Sequence, residues 1–580
     1  MPETRTLPIP AEHREFTVKV DGEAIARQHQ LLAVYVIKAV NKISAARLVY
    51  LDGAADTSDF PLSNQDTFIP GKEIEILAGA GNDPISLFTG IVIRQNLKIR
   101  DHSAPQLVVE CRHQAVKLTV GRKSAYFFAQ TDSDIISALL AKAGVAAQVE
   151  DTSVTHQQQV QYDATDWDFL LTRAEANGKL VFTNDDQVTV KAPAVTGTPV
   201  CTLGFGSTII EMDAEIDARS QYSAVTSLTW DAAQQSVLEK EAADPGVNSP
   251  GNLSSDDLAS VVALDHYQLQ HIAVTEEEAQ AWADAQWLKS QISKVNGRVK
   301  CEGIATVNPG DVVTLSGVGD RYNGNVFVTG VRQDFDLVQG WKTHIQFGNT
   351  EKWLAQENNV SAPPAAALLP AVNGLQIGVV VSNEDPDGEH RVRVRMPLVN
   401  NEEDGTWARV AAVDAGNERG FFCRPEVGDE VVLGFLNDDP RQAVIIGMLH
   451  SSAKPAPLAG SDDNHEKVYQ SRSQLKLYFN DEQKLIEVAT PAGNHITLSE
   501  ADKAIKIEDQ NGNKITMTPD GIKIESSKAI EFKAGTEVKL ESGTSLSAKG
   551  GTELKLEGTA GAEISSTAIT KVKGSLVQIN

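Results

Sequence analysis

The sequence predicts a mainly β fold with a few helices, arranged as successive domains along the chain. Three observations predict it. Short runs of alternating apolar and polar residues, such as 73–76, recur through the first 360 residues, and they are typical of half-buried strands. Two segments rich in Pro, Ala, Ser and Gly divide the chain. The last hundred residues repeat an apolar pattern with a short fixed period, which is typical of a solenoid.

Size and charge narrow the class of protein. A chain of 580 residues holds about three to five domains at roughly 100–200 residues each. The net charge of −26 repels phosphate backbones, so nucleic-acid binding is disfavoured. The four cysteines lie far apart, so we expect neither a zinc knuckle nor a dense disulfide framework.

The N-terminal segment lacks the apolar run of a signal peptide. The longest apolar stretch near it, 31–37, is far shorter than the roughly 18–20 residues that span a bilayer. We therefore expect synthesis in the bacterial cytoplasm, with no cleaved signal and no integral membrane segment.

Residues 1–360 are predicted to contain strands and three helices. The predicted strands include 16–20, 72–77, 87–93, 107–111, 188–190 and 326–331. The predicted helices are 131–144, 166–178 and 275–297. Capping residues such as Thr131 and Thr275 start them, and Gly144, Gly178 and Gly297 end them. The polar stretch 240–257 is predicted to be an exposed loop.

A small β domain follows a linker at 361–373. Its predicted strands are 376–381, 392–396, 407–410, 430–435 and 443–448. Five short strands in this length suit a closed barrel of the OB type over 374–450. A second linker is predicted at 451–472 and a repeat domain at 473–580.

A period of eight residues organises the repeat domain. Its strictest part has an apolar pair in each octad: Ile522 and Ile524, Ile530 and Phe532, Val538 and Leu540, Leu546 and Ala548, Leu554 and Leu556, Ala562 and Ile564. Gly535, Gly543 and Gly551 keep the same period. Each octad is therefore predicted to be one strand with two inward apolar residues, then a turn where glycine permits the corner.

Two apolar contacts per octad cannot form a core within one chain. Three chains wound together would bring their pairs to one axis and close every strand edge, so we infer an intertwined triple-stranded β-helix in a homotrimer. Its predicted core residues are Ile522, Ile524, Ile530, Phe532, Val538, Leu540, Leu546, Leu554, Leu556 and Ile564. The alternatives are isolated hairpins or a disordered tail, and the apolar register over six octads disfavours the tail.

Three parts of the chain, in this order, resemble the VgrG and phage central-spike proteins of contractile injection systems. The matching stretches before residue 360 are FIPGKEIEI (68–76), FTGIV (88–92) and YDATDWDFL (162–170). Those in the predicted barrel are WARV (407–410), RPEVGDEV (424–431) and DDPR (438–441). Residues 473–580 resemble the triple-stranded needle of that family.

The resemblance implies an architecture and a mechanism. Residues 1–360 would form a hub of two similar tube-like barrels per chain, giving the trimer a pseudo-sixfold symmetry that matches a hexameric tail tube and baseplate. The OB domain would narrow the assembly, and the needle would lead it through a target envelope when a sheath contracts. Effector cargo is a further implied partner, and the particle would be released from the cell or delivered into the target.

Departures from relatives point to a separate tip. Some relatives carry an enzyme before the needle, and the interval 451–472 is too short for one. Some bind iron at the tip through His-X-His repeats, whereas the last histidine here is His495. We expect a PAAR-type tip protein to bind the end of the needle, at Leu576, Val577, Gln578, Ile579 and Asn580.

No catalytic residue, cofactor site or metal site is predicted. The stretch 385–388 lacks the later Glu of an EF-hand and suits a hairpin turn, and the glycine-rich stretch 79–83 suits a turn as well. His266 and His271 are off the i,i+4 spacing of helical metal pairs. Cys423, beside two phenylalanines, is expected in the barrel core.

The sequence thus favours a non-enzymatic spike, with an extracellular phage-tail-like particle as the preferred machine and a type VI secretion apparatus or a phage as alternatives. An alternative from another class is a glycan-degrading tailspike, which needs two carboxylates in a groove. A trimeric adhesin is a third.

Overall fold

The computed structural model describes residues 15–579 except 80–83, 185, 232, 233, 235, 248, 249, 264, 265, 273, 350, 351, 357–371 and 403, and except the side chains of 162, 230, 231, 271 and 272. The chain divides into two compact units, 1–363 and 364–580. Most of the predicted linker 361–373 and of the glycine-rich stretch 79–83 lies outside the described residues.

Seven strands at the start of the first unit enclose one apolar core. They are β1 (Phe16–Val20), β2 (Glu23–Ala24), β3 (Leu31–Ala39), β4 (Ala45–Leu51), β5 (Glu73–Ala78), β6 (Ile85–Arg100) and β7 (Ser103–Arg112). Tyr50, Phe68, Ile74, Ile76 and Phe88 are fully buried in this core. The alternation over 73–76 therefore sends its two isoleucines inward, as the strand period of two requires.

A helical subdomain comes next in the chain. Its elements are β8 (Lys123–Thr131), α1 (Asp132–Lys142), β9 (Ala146–Val149), β10 (Thr155–Ala164), α2 (Asp166–Ala176), β11 (Leu180–Asn184) and β12 (Gln187–Lys191). Thr131 and Asp134 form the complete capping box of α1, and the Thr165 hydroxyl accepts from the Asp168 amide at the start of α2. The apolar faces of both helices share one core.

The rest of the first unit forms a second β lobe and a small three-stranded sheet. The elements are β13 (Cys201–Gly204), β14 (Ile209–Ile216), β15 (Ala224–Asp231), β16 (Ser236–Glu241), α3 (Ser255–Val262), β17 (His266–Ile272), α4 (Glu276–Ile292), β18 (Val295–Glu302), β19 (Val312–Ser316), β20 (Gly324–Asp336) and β21 (Gly340–Phe347). Strands β13, β14 and β18–β21 surround a core that includes Leu203, Val328 and Phe347. Strands β15–β17 form the small sheet.

A single 13-stranded sheet joins the two lobes. Its strand order is β14-β18-β21-β20-β3-β4-β7-β6-β5-β1-β2, and β20 also pairs with β19, which in turn pairs with β13. The long strand β20 makes the junction, because it pairs with β3 from Gly330 opposite Ala39 to Asp336 opposite Ala33. The predicted mainly β fold with few helices is confirmed, and both lobes of the first unit contribute strands to one sheet.

Helix α4 ends five residues before the predicted stop at Gly297. Gly297 lies in β18, where a Cβ would come within 2.5 Å of the Asp213 carbonyl oxygen and 2.6 Å of the Phe347 ring. This glycine therefore allows a close approach of strands and does not end a helix.

Helix α3, with Ser254 and Asp257 as its capping box, begins inside the stretch 240–257 that was predicted as a loop. Among the described residues, no helix has both the length and the apolar character to cross a membrane.

The second unit begins with the small barrel. Its strands are β22 (Gln376–Ser382), β23 (Val392–Arg395), β24 (Thr406–Val410), β25 (Ala415–Gly416), β26 (Arg419–Gly420), β27 (Glu430–Phe435) and β28 (Ala443–Met448). Strands β22-β23-β24-β28-β27 close into a barrel around Val392, Val394, Val431 and Leu433. The predicted closed five-stranded barrel is confirmed, and β25 and β26 add a hairpin outside it.

The repeat domain begins with an antiparallel meander of seven five-residue strands. They are β29 (Glu466–Gln470), β30 (Lys476–Asn480), β31 (Leu485–Ala489), β32 (His495–Ser499), β33 (Ala504–Glu508), β34 (Lys514–Thr518) and β35 (Gly521–Glu525). Strand β29 lies inside the interval predicted as the second linker, 451–472. The prediction missed it because its two apolar residues, Val468 and Tyr469, are adjacent and so give no strand-like alternation.

Candidate functional site: the C-terminal repeat

The meander carries two apolar rows on one face. Each strand from β30 to β35 contributes two apolar residues at alternate positions, and each residue stands directly opposite its counterpart on the next strand. The rows are Leu477, Val488, Ile496, Ile507, Ile515 and Ile524, and Phe479, Ile486, Leu498, Ile505, Met517 and Ile522. Because side chains two apart point to the same face, the looser upstream repeat becomes a continuous apolar strip.

This strip is open to solvent within one chain. Ile496 is 42% exposed, Ile505 41% and Val488 45%. The opposite face bears polar residues such as Glu487, which contacts Lys476 at 3.4 Å and His495 at 3.2 Å. A one-layer sheet with one apolar face needs a covering partner, since contiguous apolar surface of this kind marks an interface.

The octads after β35 extend the pattern without forming strands. Residues 526–579, all described, belong to no helix or strand, and the backbone bends at 527, 535, 543, 551, 559, 567 and 575. The bends thus recur every eight residues. The octad period found in the sequence is therefore a geometric period of the backbone as well.

The predicted core residues lie in β35 and in this bent segment, and each is exposed within the single chain. The exposed fractions run from 47% to 77%, for Ile522, Ile524, Ile530, Phe532, Val538, Leu540, Leu546, Leu554, Leu556 and Ile564. One chain therefore does not bring these residues together into a core. Their burial stays a prediction that requires other copies.

The glycines with a close backbone contact differ from those that the sequence singled out. A Cβ at Gly535, Gly543 or Gly551 would meet nothing within 4 Å. A Cβ at Gly550 would lie 2.0 Å from the Glu553 carbonyl oxygen, and one at Gly558 would lie 2.2 Å from the Gly561 carbonyl oxygen. This position precedes the bend and holds only small residues through the octads: Ser526, Ala534, Ser542, Gly550, Gly558, Ser566 and Gly574. Four of them carry a Cβ, so the need for glycine is local to 550 and 558.

The predicted tip-binding residues are exposed. Leu576, Val577 and Ile579 are 82%, 48% and 90% exposed, and Gln578 is exposed as well. Asn580 lies outside the described residues. These apolar side chains offer a surface to another protein, and which protein binds there remains a prediction.

Candidate chemistry elsewhere is accounted for by structural contacts. In the predicted hairpin turn 385–388, the Arg391 guanidinium lies 2.7 Å from Asp385 and 2.5 Å from Asp387, so an arginine occupies the position that a calcium ion would need. Hydrogen bonds from Arg391 hold the pKa of Asp385 well below its usual range. Cys423 is half-buried, outside the barrel core, with its Sγ 3.7 Å from the Tyr469 hydroxyl, so its predicted core position is wrong.

One cavity of the first unit, of about 1090 Å³, is lined by apolar residues and by several acidic and basic ones. Its Glu175 carboxylate forms an ion pair with Lys289 and accepts from the Leu354 amide at 2.8 Å. Asp213 in the same cavity lies 2.7 Å from Arg298. Within the described part of the chain, no cluster of three metal-ligating side chains exists.

A buried charge network ties the helices of the first unit together. Arg173 of α2 donates to both oxygens of Asp132 on α1, at 2.6 and 3.0 Å, and Asn177 donates to it at 2.8 Å. His156 on β10 lies 3.1 Å from the same carboxylate. Burial opposes the charge on Asp132, but these donors outweigh it and lower its pKa. The partners of Asp132 therefore account for its burial by a role in holding α1, α2 and β10 together.

Comparison with protein families covers both units. The family described as "Alg8 N-terminal domain" matches residues 10–336, which is more than half of the chain. The family described as "Type VI secretion system/phage-baseplate injector OB domain" matches residues 376–450, the span of the closed barrel.

Two relatives illustrate the sequence likeness. The type VI secretion system spike protein VgrG3 of Vibrio cholerae is 30% identical over 154 residues, which cover 25% of this chain and 15% of that protein. The spike protein VgrG1b of Pseudomonas aeruginosa is 26% identical over 222 residues, covering 36% and 29%. The chain thus aligns with less than a third of the length of these relatives.

Among solved structures, the 43 kDa tail protein of prophage MuSo2 from Shewanella oneidensis is 14% identical, with a TM-score of 0.44 over 58% of this chain and 99% of that one. The Francisella PdpA-VgrG complex is 7% identical, with a TM-score of 0.39 over 88% of both chains. The chain is thus similar to VgrG spike proteins in part of its length and to the injector OB domain over its barrel, and it belongs to the family described as "Alg8 N-terminal domain".

Proposed function

We propose that this chain is the central spike of a contractile injection system. Three copies would form a hub from the first unit, a collar from the OB barrels and a needle from the repeat domain. The needle would lead the assembly through a target envelope when a sheath contracts. The protein would act by mechanical penetration and delivery, with no reaction catalysed.

One observation carries the proposal: the repeat domain presents more than a hundred residues of strand-like chain with its apolar side chains exposed. The same pattern of exposed apolar pairs runs through the paired strands β30–β35 and through the bent segment from Ile530 to Ile564. Apolar side chains at every octad are costly to leave in water, at about 25 cal/mol per Å² of apolar surface. Burial against further copies of the same pattern removes that cost.

The proposed trimer also supplies the stiffness that penetration needs. Residues 526–579 form no strand within one chain, and pairing their backbone between copies would make a prism with continuous backbone hydrogen bonds and no free edge. Such an object crosses a bilayer as a preassembled body, because all of its backbone polar groups are satisfied internally.

The proposed partners follow from the family. The hub would bind a hexameric tail tube and baseplate proteins, and the exposed residues Leu576, Val577 and Ile579 would bind a PAAR-type tip protein, with effector cargo carried on the assembly. An extracellular phage-tail-like particle is the proposed machine, with a type VI apparatus or a phage as the alternatives. Three copies would carry a net charge of about −78, three times the −26 of one chain, which favours solubility.

Light scattering tests the proposal. The purified full-length chain is expected to have a native mass near 187 kDa, three times its 62.4 kDa. A truncation after Pro455, which removes the repeat domain but keeps the hub and barrel, would show by its mass whether the hub adds trimer contacts of its own. A full-length monomer would overturn the proposed needle and, with it, the spike.

A further inference from the structure

The octads carry a second repeat on their outward positions. The residue between the apolar pair, the second position, and the residue after the pair, the fourth position, change charge from one octad to the next. The second positions are Lys523, Glu531, Lys539, Ser547, Lys555, Glu563 and Lys571, and the fourth positions are Glu525, Lys533, Glu541, Lys549, Glu557, Ser565 and Lys573. All of these residues are exposed. The charges therefore repeat every sixteen residues, twice the apolar period.

The apolar repeat cannot by itself choose how two copies align. Because an apolar pair recurs every eight residues, a shift of one copy by eight, sixteen or twenty-four residues restores the same apolar contacts. Repetitive strands of this kind are prone to slip unless another feature fixes the register. A charge pattern with a longer period can supply that feature, because side chains directly opposite on adjacent strands interact.

Among the shifts that restore the apolar contacts, only a shift of one octad makes opposite charges meet without any like-charge contact. A shift of three octads also pairs Glu531 with Lys555, but it places Lys549 opposite Lys573. With equal residues opposite each other, every lysine would face the same lysine and every glutamate the same glutamate. A shift of two octads again places Lys523 opposite Lys539 and Glu525 opposite Glu541. A shift of one octad gives opposite charges at Lys523 with Glu531.

The complementarity of the one-octad shift extends along the whole segment. Opposite charges meet at Lys523–Glu531, Glu531–Lys539, Lys555–Glu563, Glu563–Lys571, Glu525–Lys533, Lys533–Glu541, Glu541–Lys549 and Lys549–Glu557. The remaining neighbours all include Ser547 or Ser565, and no two like charges meet. Three positions depart from the alternation. Ser547 stands where it calls for a glutamate, and Ser565 where it calls for a lysine. Lys573 stands where it calls for a glutamate, but with this shift it faces Ser565 and meets no like charge.

The bends make this shift geometrically natural. The backbone turns once per octad, so a chain that winds about a threefold axis moves to the next of three faces at each bend. Each face then receives one octad from one copy and, beside it, the following octad from the neighbouring copy. Adjacent parallel strands would therefore differ by one octad.

We propose that copies of this chain associate through residues 522–573 as parallel strands offset by eight residues, and that the alternating charges at the second and fourth positions select this offset. The proposal rests on the proposed trimeric needle and adds its register. Within one chain, Lys523, Lys539 and Lys555 pair with the glutamate two residues on, at 2.5, 3.1 and 2.5 Å. These pairs lie within single octads, so the complementarity between octads is left for a second copy.

Charge rearrangement in the full-length protein is the first test. The blocked variant, Lys533→Glu with Glu557→Lys, keeps the composition and net charge but places like charges in adjacent octads. The inverted variant reverses the charge at every second and fourth position from 523 to 571 that carries one: Lys523→Glu, Glu525→Lys, Glu531→Lys, Lys533→Glu, Lys539→Glu, Glu541→Lys, Lys549→Glu, Lys555→Glu, Glu557→Lys, Glu563→Lys and Lys571→Glu. It changes more residues but keeps both the alternation between octads and the ion pairs within them. We expect the trimer of the blocked variant to melt lower at low salt, by a difference that shrinks in 1 M NaCl, and the inverted variant to melt near the native protein. Equal melting of both variants at low salt would overturn the proposal.

Cysteine cross-linking measures the offset directly. In the double variant Lys539→Cys with Ser547→Cys, an offset of one octad places Cys at 539 of one copy beside Cys at 547 of its neighbour, so oxidation should give a covalent trimer on a non-reducing gel. Ser547→Cys alone should give none, like the unmodified chain with its own four cysteines. Cross-linked dimers from Ser547→Cys alone would show equal residues opposite each other and overturn the offset. A monomeric native mass would instead overturn the trimer itself.

Discussion

The two halves of the repeat domain share one apolar pattern and differ in where their hydrogen bonds go. Residues 466–525 fold back and forth into seven antiparallel strands that pair within the chain. Residues 526–579 have the same alternation of apolar and polar residues, but they form no strand within the chain and bend every eight residues. In the first half, the backbone hydrogen bonds are made between strands of the chain and the apolar face is exposed. In the second half, the backbone makes no strand pairing within the chain and the apolar side chains are exposed as well.

Loop chemistry accounts for this difference. The meander turns with polar sequences that fold a chain back on itself, such as Asp509–Asn513, where the Asp509 carboxylate accepts from the amides of Asn511 and Asn513 at 2.9 Å each. The octads instead bend at positions such as Gly551 and continue without folding back on the preceding segment. The comparison teaches that one side-chain pattern gives strand pairing within the chain only where its turns reverse the chain direction.

The largest expected effect comes from placing a charge on the apolar strip. Ile496 stands opposite Val488 and Ile507, so Ile496→Asp would put an unpaired carboxylate at the contact between copies, at a cost of about 3–5 kcal/mol per chain. We expect loss of the trimer, measured by light scattering and by thermal unfolding.

Thr497→Asp is the matched control, because the adjacent residue lies on the polar face of the same strand. It should leave mass and melting temperature nearly unchanged. If the two variants behave alike, the apolar face is not covered by other copies, and the meander is closed by intrachain pairing alone.

A smaller effect is expected at the bends. Gly550→Ala introduces a Cβ at 2.0 Å from the Glu553 carbonyl oxygen, and relief of such a clash typically costs about 1–3 kcal/mol. Gly551→Ala introduces a Cβ with nothing within 4 Å and should be tolerated. Thermal unfolding of both variants checks this, and greater damage from the second would reverse the assignment of the constrained position.

The smallest effect concerns pH and the meander. Hydrogen bonds from the Asn513 side chain and amide lower the pKa of Asp509 to about 2 from its ordinary 3.8. A carboxyl with a lowered pKa stabilises the fold above the ordinary value, and that contribution is lost as the pH falls toward 2. We expect amide exchange in β33 and β34 to accelerate over this window.

Asp509→Asn separates this group from the other acids of the chain. The variant should exchange faster than the native protein at pH 5, and the difference should vanish near pH 2. A difference that is constant with pH would mean that the carboxylate does not hold the turn through its charge.

Local patterns in the sequence predicted most elements of the fold. Strands 430–435 and 443–448 of the barrel were bounded as found, because their alternation is flanked by clear turns, and Thr131 marked the start of α1. Long-range pairing was not predictable, and the junction of β20 with β3 joins residues almost 300 positions apart. Gly297 was wrongly predicted to end α4, because the residue it packs against, Phe347, is distant in sequence.

The candidate site was predicted in part. The octad pairs are visible in sequence because the bends recur at the same spacing. The constrained glycines were missed, since the need for Gly550 depends on where the Glu553 carbonyl lies, although the run of small residues from Ser526 to Gly574 was a signal for that position. The burial of the predicted core depends on other copies, which a single chain does not contain.

The self-pairing of the meander has a consequence for the order of assembly. A segment that can fold within one chain exists before any encounter, so the three copies of the proposed trimer would first meet through their preformed apolar strips. The octads of 526–579 would then be tethered near one another at an effective concentration of the order of millimolar. Closure of the proposed needle would be a unimolecular zippering that starts at Glu525 and runs outward, with a rate independent of the protein concentration.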